Sequence, residues 1–340
     1  MDGKIYGIPR PNDPHDALFP AIRQDWLNVL GLVQPQTMEE VYEVLKLFVT
    51  HDPDGNGKHD TIGMAGYIHA AGLGSLSWVE HAYTGSPERF SIQDGRVIDH
   101  AVSAEEELAL KWLTRAYAEG LIDKEFPVSS QEQVQHKISS NQVGLAALNV
   151  GNAASLSSEA AEWVPLARLK ANSTATAVAP WNTRGSGMYI ISTMSRHEPK
   201  LLLEWLDRGI AMTENEEWDD MDGFEPADYS AIRNLFGQAD LLDSPAISEL
   251  PAVLQTAYQS AVKEWRNVSY SDQSIAEINS IWSTGKYAEL NSRLEQFKIK
   301  VILGAATLED WKQFTKELVT TDEYKDMMSE LNKLAAGSSQ

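Results

Sequence analysis

The stretch Asp52-Pro53-Asp54-Gly55-Asn56-Gly57-Lys58-His59-Asp60 carries an oxygen-bearing side chain at every second position over its first half, and its reading decides how the rest of the chain is understood. Counted from Asp52, the side-chain oxygens of Asp52, Asp54, Asn56 and Asp60 stand at positions 1, 3, 5 and 9, with Gly57 at 6 and the Lys58 carbonyl at 7. This is the spacing of a calcium loop. Calcium gathers about six to eight oxygens at roughly 2.3 to 2.6 Å, so a short chain must fold back around it, and Gly57 gives the backbone freedom to do so. Position 12 is Gly63, where a signalling EF-hand has a bidentate Glu. Thr61, a water or a carboxylate from elsewhere must then complete the shell, which predicts a structural ion rather than a sensor. With no ion, the same residues form an acidic Asn/Gly turn.

The 340 residues and 37.7 kDa predict two domains or lobes, and 43% hydrophobic content with 10 Trp, 11 Tyr and 8 Phe provides for substantial cores. A net charge of -21 repels phosphate backbones and anionic headgroups, so nucleic acid is not an expected partner. The absence of cysteine excludes disulfides, thiolate metal sites and cysteine nucleophiles, and fits either a reduced cytosol or a bacterial exterior. MDGKIYGIPR has no apolar signal core, and no run of about 18 apolar residues occurs anywhere.

Along the chain, residues 4–8 and 18–23 read as strands, and residues 25–30 as a short helix closed by Gly31. Thr37 and Glu40 form a capping-box pattern ahead of a helix with Val41, Val44, Leu45 and Phe48 on one face. Residues 90–98 read as a hairpin around Asp94-Gly95, residues 104–118 and 131–139 as helices, and 142–150 as a buried strand. A Ser/Thr/Ala/Pro-rich loop over 173–182 precedes a strand at 187–191 and a helix at 198–210. Helices are then expected over 247–265, 274–302, 308–319 and 321–334. Four or five strands among many helices predict an α/β protein with a helical C-terminal third.

The segments DGKIYGIPRP, AIRQDWLNVLGL, QTMEEVYEVLKLF and DPDGNGKHD follow one another in an order similar to that of the extracellular solute-binding proteins of bacterial ABC importers, family 1, in the branch of oligosaccharide- and alginate-binding lipoproteins. DGRVIDH, the helix end YAEGLIDKEF, ISTMSRHEPKLLLEWLD and VILGAATLEDWKQF extend the resemblance over most of the chain. It implies a periplasmic-binding-protein-like (type II) two-lobe fold with the first lobe incomplete. Residues 1–16 would be a hinge strand and remnant of lobe 1, 17–182 lobe 2 with the calcium loop at 52–63, and 183–225 the return segment of lobe 1. Residues 226–336 would be helices packing mainly on lobe 2, and 337–340 a disordered tail. Family members carry a lipoprotein signal and most of a lobe ahead of the segment that begins here at Met1. The resemblance therefore implies an N-terminally truncated chain, exposed lobe-1 edges, and weak sugar binding or none.

The implied function is capture of an oligosaccharide between two lobes and its delivery to the transmembrane permease subunits, with calcium as a structural cofactor and no catalysis. The implied location is the extracellular face of the cell membrane, through a lipid anchor absent from this chain. Sugar sites stack aromatic rings on C–H faces and bridge hydroxyls with Asp, Asn, Gln or Arg. Trp26, Trp112, Trp205 and Trp311 sit among apolar helix neighbours and read as core. Trp78, Trp181 and Trp218 lie in loop-like sequence, where binding and packing roles are equally open, and Tyr83 follows Trp78. Asn182 and Arg184 stand beside Trp181, where the guanidinium suits vicinal hydroxyls or a surface ion pair. Arg10, between two prolines, reads as a hinge residue. The alternative is a calcium-dependent polysaccharide lyase or glycoside hydrolase, although no GxSxG, HExxH or phosphate loop is present.

Overall fold

In the computed structural model the residues described are 7–9, 15–69, 72–158, 161–180, 188–214, 217, 235–236, 242, 245–268, 278 and 285–337. A four-stranded mixed sheet organises most of them. β2 (Phe19–Arg23), β3 (Ile62–Ala65), β6 (Val143–Leu148) and β7 (Trp163–Pro165) lie in the order β3-β6-β2-β7. β3 and β6 run parallel, with Met64 opposite Leu145, while β2 runs antiparallel to both its neighbours, with Ala21 opposite Ala146 and Ile22 opposite Val164. β6 is buried along nearly its whole length, which is why it reads as a continuous apolar run, and β2 is buried too although it ends in Arg23.

Helix α1 (Gln24–Val29) follows β2 directly, and α2 (Met38–Thr50) packs across the sheet. The Thr37 cap forms as expected: the Glu40 N–H donates to Thr37 Oγ1 at 3.3 Å, and the Thr37 N–H donates to the Glu40 carboxylate at 3.1 Å. The α2 stripe of Val41, Leu45 and Phe48 is fully buried, and each such side chain contributes about 1.5 to 3 kcal/mol of transfer free energy. Gly144 on β6 leaves room for the Phe48 ring, which meets Trp26 edge-on at 5.3 Å.

β4 (Phe90–Gln93) and β5 (Arg96–Asp99) form the hairpin, and Asp94 and Gly95 take φ of 50° and 73° at its turn. α3 (Ser77–Thr84) packs on α4 (Ala104–Ala118), α5 (Gln131–Ser139) on β3 and β6, and α6 (Val150–Leu156) on β7. Pairing Ile8 with Tyr189 and Pro9 with Met188, β1 (Ile8–Pro9) and β8 (Met188–Tyr189) make a two-stranded ladder, followed by α7 (Pro199–Glu214). The C-terminal helices α8 (Ala252–Val268), α9 (Ala288–Ile302), α10 (Leu308–Leu318) and α11 (Asp322–Gly337) close the molecule. α9 and α10 pack on α4, α11 on β5 and α8 on β7, where Tyr258 donates to the Trp163 carbonyl at 2.9 Å.

Several expectations need correction. β3 and β7 were not foreseen: β3 is diluted by Gly63, and β7 is three residues long and ends in Pro165. The helix expected from Ile247 begins at Ala252, because Pro251 lacks the N–H that a helix interior needs. Trp205 is not core but 54% exposed, with Leu201 and Leu203 exposed beside it and only Phe236 against its ring at 5.1 Å among the described residues. Trp26, Trp112 and Trp311 are buried as expected.

Candidate calcium loop and ligand cleft

The acidic loop starts where α2 ends, and Gly55 and Gly57 take φ of 68° and 75°, conformations that turn the chain back on itself. Its side chains converge on Asn56. The Asn56 amide donates to Asp54 at 2.7 Å and to Asp60 at 2.9 Å, and its backbone N–H donates to Asp52 at 3.2 Å. Asp52 also accepts from the Gly57 N–H at 2.7 Å. Burial and the neighbouring Asp52 push the Asp54 carboxyl up, while the contact with Asp54 and the Gly57 N–H hold Asp52 down.

Crowded carboxylates with a single amide at their centre suit a cation, and this hard-oxygen donor set fits calcium. Among the described residues no three Asp, Glu or His side chains close around one point; here the Asn56 amide takes the central place. The Lys58 N–H donates to the Asn56 amide oxygen at 2.7 Å. The Thr61 hydroxyl donates to the Phe48 carbonyl at 2.8 Å, tying the loop's exit to the last turn of α2.

A second feature lies at the carboxyl ends of β6 and β3, where open α/β sheets bind ligands. A depression of about 490 Å³ is bounded by Asp16, Leu18, Gly74, Ser77, Trp78 and Asn149, with Pro180 on its rim. The approach to β2 and the loop ending at Pro180 meet there. Its wall depends on a tight turn: Gly74 has φ of 57° and packs against the Tyr67 carbonyl, and Ser75 accepts a hydrogen bond from the Tyr67 N–H at 2.8 Å. Asn149 caps α6 by accepting from the Asn152 N–H at 2.7 Å.

Of the residues expected to bind sugar, Trp78 lines this depression, but it sits on helix α3 rather than in a loop. At 7% exposure, with its ring against Trp112 at 6.4 Å, it is mostly packed and leaves little surface for stacking a sugar. Tyr83 does not line the depression; it is half-buried on α3, and burial together with Glu39 pushes its phenol up to about 12. Trp181, Asn182, Arg184, Trp218 and Arg10 lie outside the described residues.

Sequence reasoning missed a buried ionic cluster behind α3. The Lys298 ammonium meets Glu80, Glu106 at 2.8 Å and Glu295 at 3.3 Å, and its side chain is 4% exposed. Burial would lower Lys298, but Glu106, Glu295 and Glu80 outweigh it and hold its pKa well up. Burial, then Glu80, raise Glu106 well above the carboxylate range; for Glu80 the pull of Lys298 prevails over burial and lowers it. Burial pushes His81 beside them down to about 4. Next to the cluster, Arg89 forks onto Asp99 at 2.9 and 2.8 Å, and Tyr324 donates to Asp99 at 3.2 Å. The one local signal was the Glu295 to Lys298 spacing on one helix.

No family model matches the chain. The mixed sheet, its flanking helices and the second ladder constitute the two-lobe fold of periplasmic-binding-protein-like solute-binding proteins. An extracellular solute-binding protein from Bifidobacterium longum subsp. infantis aligns at TM-score 0.67 and 17% identity, over 98% of this chain and 77% of that one. Alginate-binding protein AlgQ2, solved without calcium ion, aligns at 0.64 and 16% identity, over 98% and 75%. An EF-hand mutant of the S. pneumoniae ABC-transporter substrate-binding protein FusA, with fructo-nystose bound, aligns at 0.62 and 18%, over 99% and 77%.

The sequence resemblance to this group holds in the curated relatives too. Lipoprotein LipO of Bacillus subtilis is 42% identical over 130 residues, 38% of this chain, and the polygalacturonan/rhamnogalacturonan-binding protein YtcQ of the same organism is 33% identical over 162 residues, 48% of this chain. The chain spans 26% and 32% of the length of these two relatives.

Proposed function

We propose that this chain belongs to the solute-capturing component of a bacterial ABC importer, which holds an oligosaccharide in the cleft beside Trp78 and delivers it to a membrane permease. The observation that carries this reading is the depression at the strand carboxyl ends, set where residues 16–18 enter β2 and the loop ending at Pro180 passes. Capture would proceed by closure of two lobes about those connections, with no bond made or broken. The boundaries at residues 16 and 182 are part of the same proposal, as are the extracellular location and the lipid anchor. The polygalacturonan/rhamnogalacturonan-binding name of YtcQ and the fructo-nystose bound to FusA support the substrate class.

Calcium is proposed as a structural ion of the Asp52–Asp60 loop, held by Asp52, Asp54, Asn56, Asp60 and the Lys58 carbonyl. The mention of calcium for AlgQ2 and of an EF-hand for FusA supports this. The lyase or hydrolase alternative finds no support. FusA is an ABC-transporter substrate-binding protein and YtcQ a polygalacturonan/rhamnogalacturonan-binding protein, and the buried carboxylates Glu80 and Glu106 share one lysine instead of facing each other across a cleft.

Saturation-transfer NMR with a panel of neutral and uronate oligosaccharides tests the reading. Transfer to an oligosaccharide, with no release of new reducing ends, is the expected outcome. Turnover of any polysaccharide, or transfer to none of the panel, would count against it.

A further inference from the structure

Trp78 and His81 stand on one face of α3, three residues apart, and both line a narrow recess of about 30 Å³. Leu18, Trp78, His81 and Pro180 line the cleft depression as well, so a ligand resting in the depression has the recess beside it. Leu166, Leu169 and Trp265 make much of its remaining wall. Room of this size takes about two non-hydrogen atoms.

The two polar side chains of the recess are uncommitted. The Trp78 indole N–H is buried and has no hydrogen-bond partner among the described residues. An unmet donor away from water is costly, so it calls for an acceptor. The His81 ring makes no hydrogen bond among the described residues either. Burial keeps that ring uncharged, with Lys298 and His100 acting in the same direction and Glu80 against them. A neutral imidazole has one nitrogen that donates and one that accepts.

We propose that the recess seats the hydroxymethyl arm of a neutral sugar unit, its oxygen accepting from the Trp78 indole N–H and its hydroxyl proton going to the unprotonated nitrogen of His81. The methylene of the arm then lies against Leu166, Leu169 and Trp265, where apolar walls suit it. A hydroxyl attached directly to the sugar ring reaches one bond less deep. A uronate carries a carboxylate in place of the arm, and there it would exchange water for apolar walls and an uncharged ring, so a uronate unit is disfavoured at this position. Trp78 thus serves the ligand through its N–H and not by stacking, in keeping with its packed ring. This seat rests on the oligosaccharide reading of the cleft.

The indole N–H resonance of Trp78, assigned by heteronuclear NMR in the full chain with calcium in excess, is followed while kestose, maltotriose, galactotriose or trigalacturonate is added. Each neutral sugar that binds should move this resonance downfield and slow its exchange with deuterium. Trigalacturonate, which differs from galactotriose of the same linkage only in its carboxylates, should bind about tenfold more weakly or less. Trp78→Phe removes the N–H, keeps an aromatic ring, and should weaken the neutral ligand about tenfold. The deoxy analogue of that ligand, lacking the hydroxymethyl oxygens, should show the same loss on the unaltered protein and carries the test if Trp78→Phe fails to fold.

A neutral sugar that binds and leaves the Trp78 resonance unmoved, or trigalacturonate bound as tightly as the neutral sugars, overturns the seat and leaves the cleft reading standing. A Trp78 N–H already protected from exchange and unchanged by sugar marks a recess that holds water only, and overturns the seat as well. Binding of none of these sugars, nor of any other oligosaccharide, defeats the cleft reading and the seat with it.

Discussion

Glu106 stands in an environment far from that of a free carboxylate, and its substitution gives a sign that intuition about buried ion pairs reverses. Its pKa is raised in the folded protein, so its stabilising contribution is fully present below its unfolded value, near 4.5, and falls away as pH rises toward the folded value. In that window the folded state keeps a proton that the unfolded state has lost. Glu106→Gln keeps the shape and removes the titration, so Tm should fall less with rising pH than in the parent and stand about 2 to 4 °C higher at pH 8, as a melting series across pH would show. Glu80→Gln should destabilise, because Glu80 is the partner whose charge Lys298 favours.

At this scale the loop carboxylates were legible, since their chemistry is written in local spacing. The Lys298 cluster was not, because Glu80, Glu106 and Glu295 come together from three different helices.

At the scale of elements, the Thr37 capping box and the Phe48 contact against β6 make separable predictions. Thr37→Ala removes one side of the reciprocal cap and should cost about 1 kcal/mol in chemical denaturation. Gly144→Ala drives a methyl group into the Phe48 ring and should cost about 1 to 3 kcal/mol, with Phe48→Leu relieving part of the loss. The loop joining α2 to β3 predicts a calcium-dependent Tm. Stabilisation should reach about 2.7 kcal/mol when free calcium is a hundredfold above its Kd, and Asp54→Asn should flatten the response; a calcium-insensitive Tm in the parent chain would contradict the loop assignment.

Helices and the hairpin were readable because caps, apolar stripes and Asp94-Gly95 are local signals. β3 and β7 were not, because a strand of small residues and a strand ended by proline owe their existence to their neighbours. Trp205 was misread for the same reason: apolar spacing tells which face a helix would bury, not whether anything covers it.

For the whole molecule, the order of elements carried more than any single motif, and the likeness to solved solute-binding structures spans 98 to 99% of the chain. The position of the cleft was less legible. Trp78 was identified as a candidate but lies mostly packed in α3, and the residues that shape the depression, Gly74, Ser77 and Asn149, carry no chemical signature in the sequence.

The central claim, that sugar is held at the carboxyl ends of β6 and β3, is tested most directly by hydrogen exchange measured with and without a bound oligosaccharide. Protection should appear at residues 16–18, 74–78 and 149, while the Asp52–Asp60 loop, saturated with calcium in both states, stays unchanged. Protection confined to other surfaces would contradict the account.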